Sequence, residues 1–76
     1  MATDICVRIG RQIRVFRSAR GWTQTMLADH AELTREHLSE LENGNKEIGV
    51  RTLERIAWAF DLTLREFFDG LESNRK

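Results

Sequence analysis

The stretch "TQTMLADHAELTREHLSELENG", Thr23 to Gly44, holds two helix-compatible segments with almost no chain between them. Thr23 can cap a helix ending near His30, and Thr34 can cap another that stops at Gly44. In each case the hydroxyl accepts from a backbone N–H that the first helical turn leaves unsatisfied. Leu27, Ala28 and Ala31 on the first segment, Leu33 in the turn, and Leu38 and Leu41 on the second leave one apolar seam. A connection of about three or four residues cannot lay two helices antiparallel, so they must cross steeply, with the small Ala28 where the crossing is closest. The outer face of the second segment, carrying Arg35, Glu36, Ser39 and Glu40, then projects from the body.

Periodicity places three more helices around this pair. Ile5, Ile9, Ile13 and Phe16 share a stripe of a first helix from about Asp4 to Ala19, which Gly21 can stop in the left-handed conformation. After the polar loop "GNKEIGV", Leu53, Ile56, Ala57 and Phe60 line one face of a fourth helix. A fifth begins with the capping box Thr63-Leu64-Arg65-Glu66, stacks Leu64, Phe67, Phe68 and Leu71, and stops at Gly70 or just beyond. No linker, repeat or low-complexity stretch divides the chain, and residues 72–76, "ESNRK", read as a frayed tail. The expected fold class is all-α: one domain over residues 1–76, a compact five-helix bundle with its core at about 5–71.

Composition agrees and excludes several classes. At 76 residues there is room for one domain. The absence of proline and the abundance of Leu, Arg, Glu and Ala favour helices. The single Cys6 cannot form an internal disulfide, and it reads as a buried or half-buried small hydrophobe. No apolar run approaches membrane-spanning length and the start "MATDICVRIG" has no signal-peptide pattern, so a soluble, cytoplasmic protein is expected. His30 and His37 lie near no cysteine pair and read as surface residues, so no metal and no cofactor is expected. Net charge is zero, but Arg8, Arg11, Arg14, Arg17 and Arg20 against Asp4 give the chain up to Gln24 a charge of +4, balanced by −4 in the remainder. A run of arginines is more often a solvated helix face than a polyanion site.

The segments "IGRQIRVFRSARGWTQ", "LADHAELTREHLSELENG" and "TLERIAWAFDLTLREFF" resemble the Cro and phage-repressor family of helix-turn-helix regulators, of the lambda-repressor-like fold. The length and "ENGNKEIGVRTLERIAWAF" are also similar to the small controller proteins of restriction-modification systems. The resemblance implies that Gln24, at the start of the second helix, hydrogen-bonds a DNA phosphate with help from the helix dipole. It implies a second phosphate clamp at Asn43 with the loop that follows, and an ion pair between Arg17 and Glu42 that leaves an arginine edge near the DNA backbone. Lys46 is a further phosphate candidate. Such contacts fix register without reading sequence. Base reading falls to Arg35, Glu36, Ser39 and Glu40, the arginine suited to guanine and a glutamate to the cytosine amino group. A helix of this length fits the major groove, about 12 Å wide.

Several residues carry a second reading. The family turn has glycine where this chain has Glu32, and a non-glycine residue at positive φ costs roughly 1–2 kcal/mol. Glu36 and Glu40 put negative charge where phosphates converge. Asp29 sits where some activators of the family display an acid to RNA polymerase, although a plain solvated carboxylate is the preferred reading. Trp22 reads as a staple of the second helix to the core. Trp58 lies well off the Leu53, Ile56, Phe60 stripe, and exposed tryptophan points to a partner. A two-fold dimer doubles the reading of one helix and sets half-sites about 34 Å apart. Homodimerisation through helices four and five, with Trp58, Phe67, Phe68 and Leu71, is therefore expected, the alternative being that Phe67, Phe68 and Leu71 are core.

These readings converge on a homodimeric, sequence-specific regulator of transcription that binds double-stranded DNA and needs no small-molecule ligand. The competing class is a protein-interaction module, antitoxin-like or an adaptor, whose acidic third helix binds a protein. No Ser-His-acid, Cys-His or carboxylate pair can be placed in a pocket, so an enzyme is not expected.

Overall fold

The computed structural model describes residues 4–73. Among them are five helices and no strand: α1 (Asp4–Ala19), α2 (Gln24–Ala31), α3 (Arg35–Glu42), α4 (Val50–Ala59) and α5 (Leu64–Ser73). The three threonine caps form as the sequence suggests. Thr23 Oγ1 accepts from the Met26 N–H at 3.1 Å, and Thr34 Oγ1 from the His37 N–H at 3.0 Å. Thr63 and Glu66 exchange hydrogen bonds in both directions, at 2.9 and 3.0 Å. Val50 opens α4 rather than closing the preceding loop, and α5 runs through Ser73, past Gly70, so the expected tail begins within a helix. Residues 74–76 lie outside the described residues.

Four of the helices end through the same pair of backbone bonds. In α1 the Trp22 and Gly21 N–H groups reach Arg17 and Ser18; in α2 Leu33 and Glu32 reach Ala28 and Asp29; in α3 Asn45 and Gly44 reach Glu40 and Leu41; in α4 Leu62 and Asp61 reach Ala57 and Trp58. This closure satisfies carbonyls that the helix itself cannot, and it requires one residue in the left-handed region. Gly21 and Gly44 take it at φ 70° and 72°, Glu32 and Asp61 at 59° and 61°. The turn between α2 and α3 is therefore not reshaped around Glu32; the chain adopts the left-handed turn with an acid in it. The second acid, Asp61, repeats the device between α4 and α5, followed in both places by Leu and a capping Thr. Leu33 and Leu62 both pack against the core.

The core is built from the predicted seams. Ile13, Leu27, Leu38, Ile56, Phe60 and Phe67 are its largest fully buried side chains, each contributing roughly 1.5–3 kcal/mol. Cys6 is buried, whereas Ile5 is exposed, against the expected stripe. At about 100° per residue Ile5 lies about 80° from Ile13 around α1 and Cys6 only about 20° away, so the thiol takes the inward position. Trp22 stacks on the Phe60 ring at 5.7 Å and on His30 at 4.5 Å, pinning the start of α2 as expected. Phe67 and Leu71 are 0% and 4% exposed, which corrects their assignment to a docking surface: α5 turns them inward against the core. Phe68, at 36%, and Trp58, at 62%, remain outside.

Gly10 sets the distance between α1 and α3. A Cβ there would stand 2.7 Å from the Glu42 carbonyl oxygen and closer still to that of Leu41, so the last turn of α3 rests on bare α1 backbone. Gly10→Ala should therefore destabilise the fold by about 1–3 kcal/mol through overpacking. Glu32→Gly should stabilise it by about 0.5–1 kcal/mol, since relief of left-handed strain exceeds the added chain entropy of glycine. Urea unfolding of both variants measures the two signs.

Candidate nucleic-acid interface

Where α1, α2 and α3 meet, the carboxylate of Glu42 is completely buried. Taking a charge out of water costs several kcal/mol unless partners surround it. Arg17 Nε donates to its Oε2 at 2.7 Å and Arg17 Nη2 to its Oε1 at 3.0 Å, the planar fork matching the carboxylate. Gln24 Nε2 donates to Oε1 at 3.1 Å. The remaining Arg17 nitrogen, Nη1, donates to the Trp22 carbonyl at 2.9 Å, tying in the α1–α2 connection. The expected ion pair is thus formed, but every Arg17 nitrogen donates inside the protein, and its side chain is only 16% exposed.

Gln24 and Asn43, two of the residues expected to clamp phosphate, stand near this carboxylate. Gln24 is the first residue of α2, where unsatisfied backbone N–H groups and the helix dipole favour an anion. Asn43, exposed at the end of α3, accepts at Oδ1 from Arg14 Nη2 at 3.2 Å. Lys46 is not beside them: its Nζ lies 3.4 Å from Glu40 Oε1, against the reading face. Two of the arginines counted as basic charge do structural work instead. Arg17 neutralises Glu42, while Arg20 donates to the Phe60 carbonyl and lies over the Trp22 and Phe60 rings at 5.4 and 5.5 Å. Arg8 and Arg11 line a groove between α1 and α5 with Gln12, Val15 and Leu71. The basic half of the sequence is therefore spread over several sides of the fold.

The outer face of α3 is open to solvent, with Lys46 at its edge. Arg35, Glu36 and Glu40 are exposed and Ser39 is half-buried. Arg35 Nη2 sits 3.6 Å from Glu36 Oε2, and with Lys46 against Glu40 each acid on this face has a cation beside it. Such exposed pairs are weak, about 0–1 kcal/mol, and can be exchanged for DNA groups at little cost. Trp58 lies on α4 between two shallow grooves, one of about 370 Å³ lined by His30, Ala31, Glu32, Arg55 and Ala59, the other by Asp61, Leu62 and Thr63. Arg14 is the residue of this region that sequence reading passed over. Its signal was its position three residues before Arg17, on the same side of α1.

A short-turn pair of helices with an outward, polar second helix and a buried Arg–Glu tie back to α1 defines a helix-turn-helix unit. Residues 11–67 match the family model described as Helix-turn-helix, and this chain belongs to that family. It is 40% identical over 60 residues to the competence pilus inhibition repressor of Acinetobacter baylyi, a match covering 79% of this chain and 54% of that protein. It is 30% identical over 70 residues to the control protein C.MunI of Mycoplasma sp, covering 91% of this chain and 95% of that one. The chain thus spans about half the length of the Acinetobacter repressor and nearly all of the Mycoplasma protein. A crystal structure of a mutant of the restriction-modification controller protein C.Esp1396I superposes with a TM-score of 0.89 at 25% identity, covering 96% of this chain and 92% of that one. C.AhdI from Aeromonas hydrophila, a controller protein of the same kind, superposes at 0.82 with 29% identity, covering 87% of this chain and all of that one.

The buried carboxylate gives the site its own stability signature. Glu42→Ala, which leaves the guanidinium of Arg17 without its partner, should cost on the order of 3 kcal/mol. Glu40→Ala, which removes only a surface pair with Lys46, should stay within about 0.5 kcal/mol. Chemical denaturation of the two variants beside the parent chain checks the contrast.

Proposed function

We propose that this chain is a sequence-specific, DNA-binding regulator of transcription that acts in the cytoplasm as a homodimer on a two-fold operator. The observation that carries the reading is the exposed outer face of α3, bracketed by Gln24 before it and Asn43 after it. At 1.5 Å per residue the eight residues of α3 are about 12 Å long, matching the width of the major groove. With α3 in that groove, Gln24 and Asn43 meet the backbone on either side and fix its register. Arg35 reaches guanine, and Glu36 or Glu40 accepts from a cytosine amino group once its cation turns to phosphate. The relatives support the same reading: one is a repressor, another a control protein. One eight-residue helix reads only a few base pairs, so a second copy is required for selectivity. Trp58, with Phe68 as the other exposed aromatic, is the proposed contact between copies.

Selection of bound duplexes from a random pool, repeated with two variants, tests the assignment. Arg35→Ala should relax preference at one base position, each good arginine–guanine pair being worth about 1–3 kcal/mol. Gln24→Ala should weaken all sequences alike. An adaptor that binds protein through α3 would select no duplex at all. For the dimer, Trp58→Glu should leave the helical spectrum intact while sedimentation shifts toward monomer and operator affinity falls at least tenfold; an unchanged sedimentation profile would remove Trp58 from the interface.

A further inference from the structure

Two guanidiniums stand around the one buried carboxylate, so one positive charge is left over. It belongs to Arg14. Arg17 sits inside with all three nitrogens donating, and its charge cancels that of Glu42. The Arg14 side chain is 52% exposed, and its Nε lies 3.6 Å from Glu42 Oε1, too long for a hydrogen bond but close enough for the carboxylate to hold it electrostatically. It makes a direct bond from Nη2 to Asn43 Oδ1 at 3.2 Å. A guanidinium only donates, so this bond fixes the Asn43 amide with its oxygen toward Arg14 and its two N–H donors away.

Resting on the DNA-binding reading, we propose that Arg14 is a phosphate contact of this interface and the residue that positions Asn43 as a second donor. Of its five N–H groups one is engaged by Asn43, and the side chain, 52% exposed, stands at the rim shared by α1 and the end of α3 with donors to spare. Arg17, the arginine that the resemblance nominates for the backbone, is the inner anchor; Arg14, three residues earlier, carries the charge outward. Gln24, Arg14 and Asn43 then form a row of donors around a carboxylate too deep to repel the phosphate that they bind.

The test is a salt titration of binding to a mixed-sequence duplex and to a duplex selected by the parent chain, using the parent, Arg14→Ala, Arg14→Lys, Asn43→Ala and the two doubles. One phosphate contact contributes about 0.9 to the slope of log affinity against log salt. Arg14→Ala should reduce the slope by about that amount and weaken both duplexes by the same factor. Arg14→Lys should keep the slope, because its charge remains. Asn43→Ala should cost less in the Arg14→Ala background than in the parent, the signature of coupling between the two. A parent that binds with an Arg14→Ala slope unchanged, or a loss confined to one base position, overturns this assignment and leaves the DNA-binding reading standing. A parent that ignores both duplexes at low salt overturns both. Thermal melting of Arg14→Lys and Arg14→Ala close to the parent keeps these outcomes attributable to the interface.

Discussion

The carboxylate of Glu42 is where three helices and one connection are joined by charge rather than by apolar packing. Aliphatic side chains in that position would pack α1 against α3 but would leave their relative rotation loosely specified. A bidentate Arg–Glu pair fixes direction as well as distance, because a planar fork accepts its partner in one plane only. Gly10 completes the arrangement by letting the last turn of α3 lie on bare α1 backbone. The outer face of α3 therefore inherits its attitude from α1. A loss at Glu42 would misdirect side chains that never touch it.

The same geometry separates the arginines by task. On sequence they form one basic run spaced three apart, yet that spacing walks around α1, since three residues advance about 300° and not a full turn. Arg17 is turned into the fold, Arg20 lies across the Trp22 and Phe60 rings, Arg8 and Arg11 line the α1–α5 groove, and Arg14 reaches the end of α3. Within this run Arg17 and Arg20 tie elements of the fold together, while Arg14 stays exposed beside the end of α3.

Much of the fold was legible because its signals are local. Thr23, Thr34 and Thr63 announce helix starts and Gly21 and Gly44 announce helix ends, each through chemistry acting within a few residues. Glu32 in the left-handed region was foreseeable only because the resemblance supplied a turn with glycine at that place. Asp61 adopts the same conformation, and the repeated acid-Leu-Thr pattern is the signal that could have found it. The misses at Phe67 and Gly10 have a common cause: they depend on what lies across the core. A stripe of apolar residues does not say whether Phe67 or Phe68 faces inward until α5 is placed against the core, whereas Cys6 over Ile5 follows from angles around α1 that the sequence already contains. Gly10 carries no turn and no cap, so its role as a contact surface is invisible until a second helix is set on it.

The acids on α3 have a consequence for how such a surface would search. Long-range attraction to duplex DNA comes from uncompensated cations, and here the reading face is held near neutrality by Glu36 beside Arg35 and Glu40 beside Lys46. Contact with an arbitrary stretch of duplex would be brief, because nothing on that face rewards phosphate alone. Dwell time would accrue only where bases relieve both carboxylates together, so discrimination between sites would be expressed as a difference in departure rate rather than in arrival.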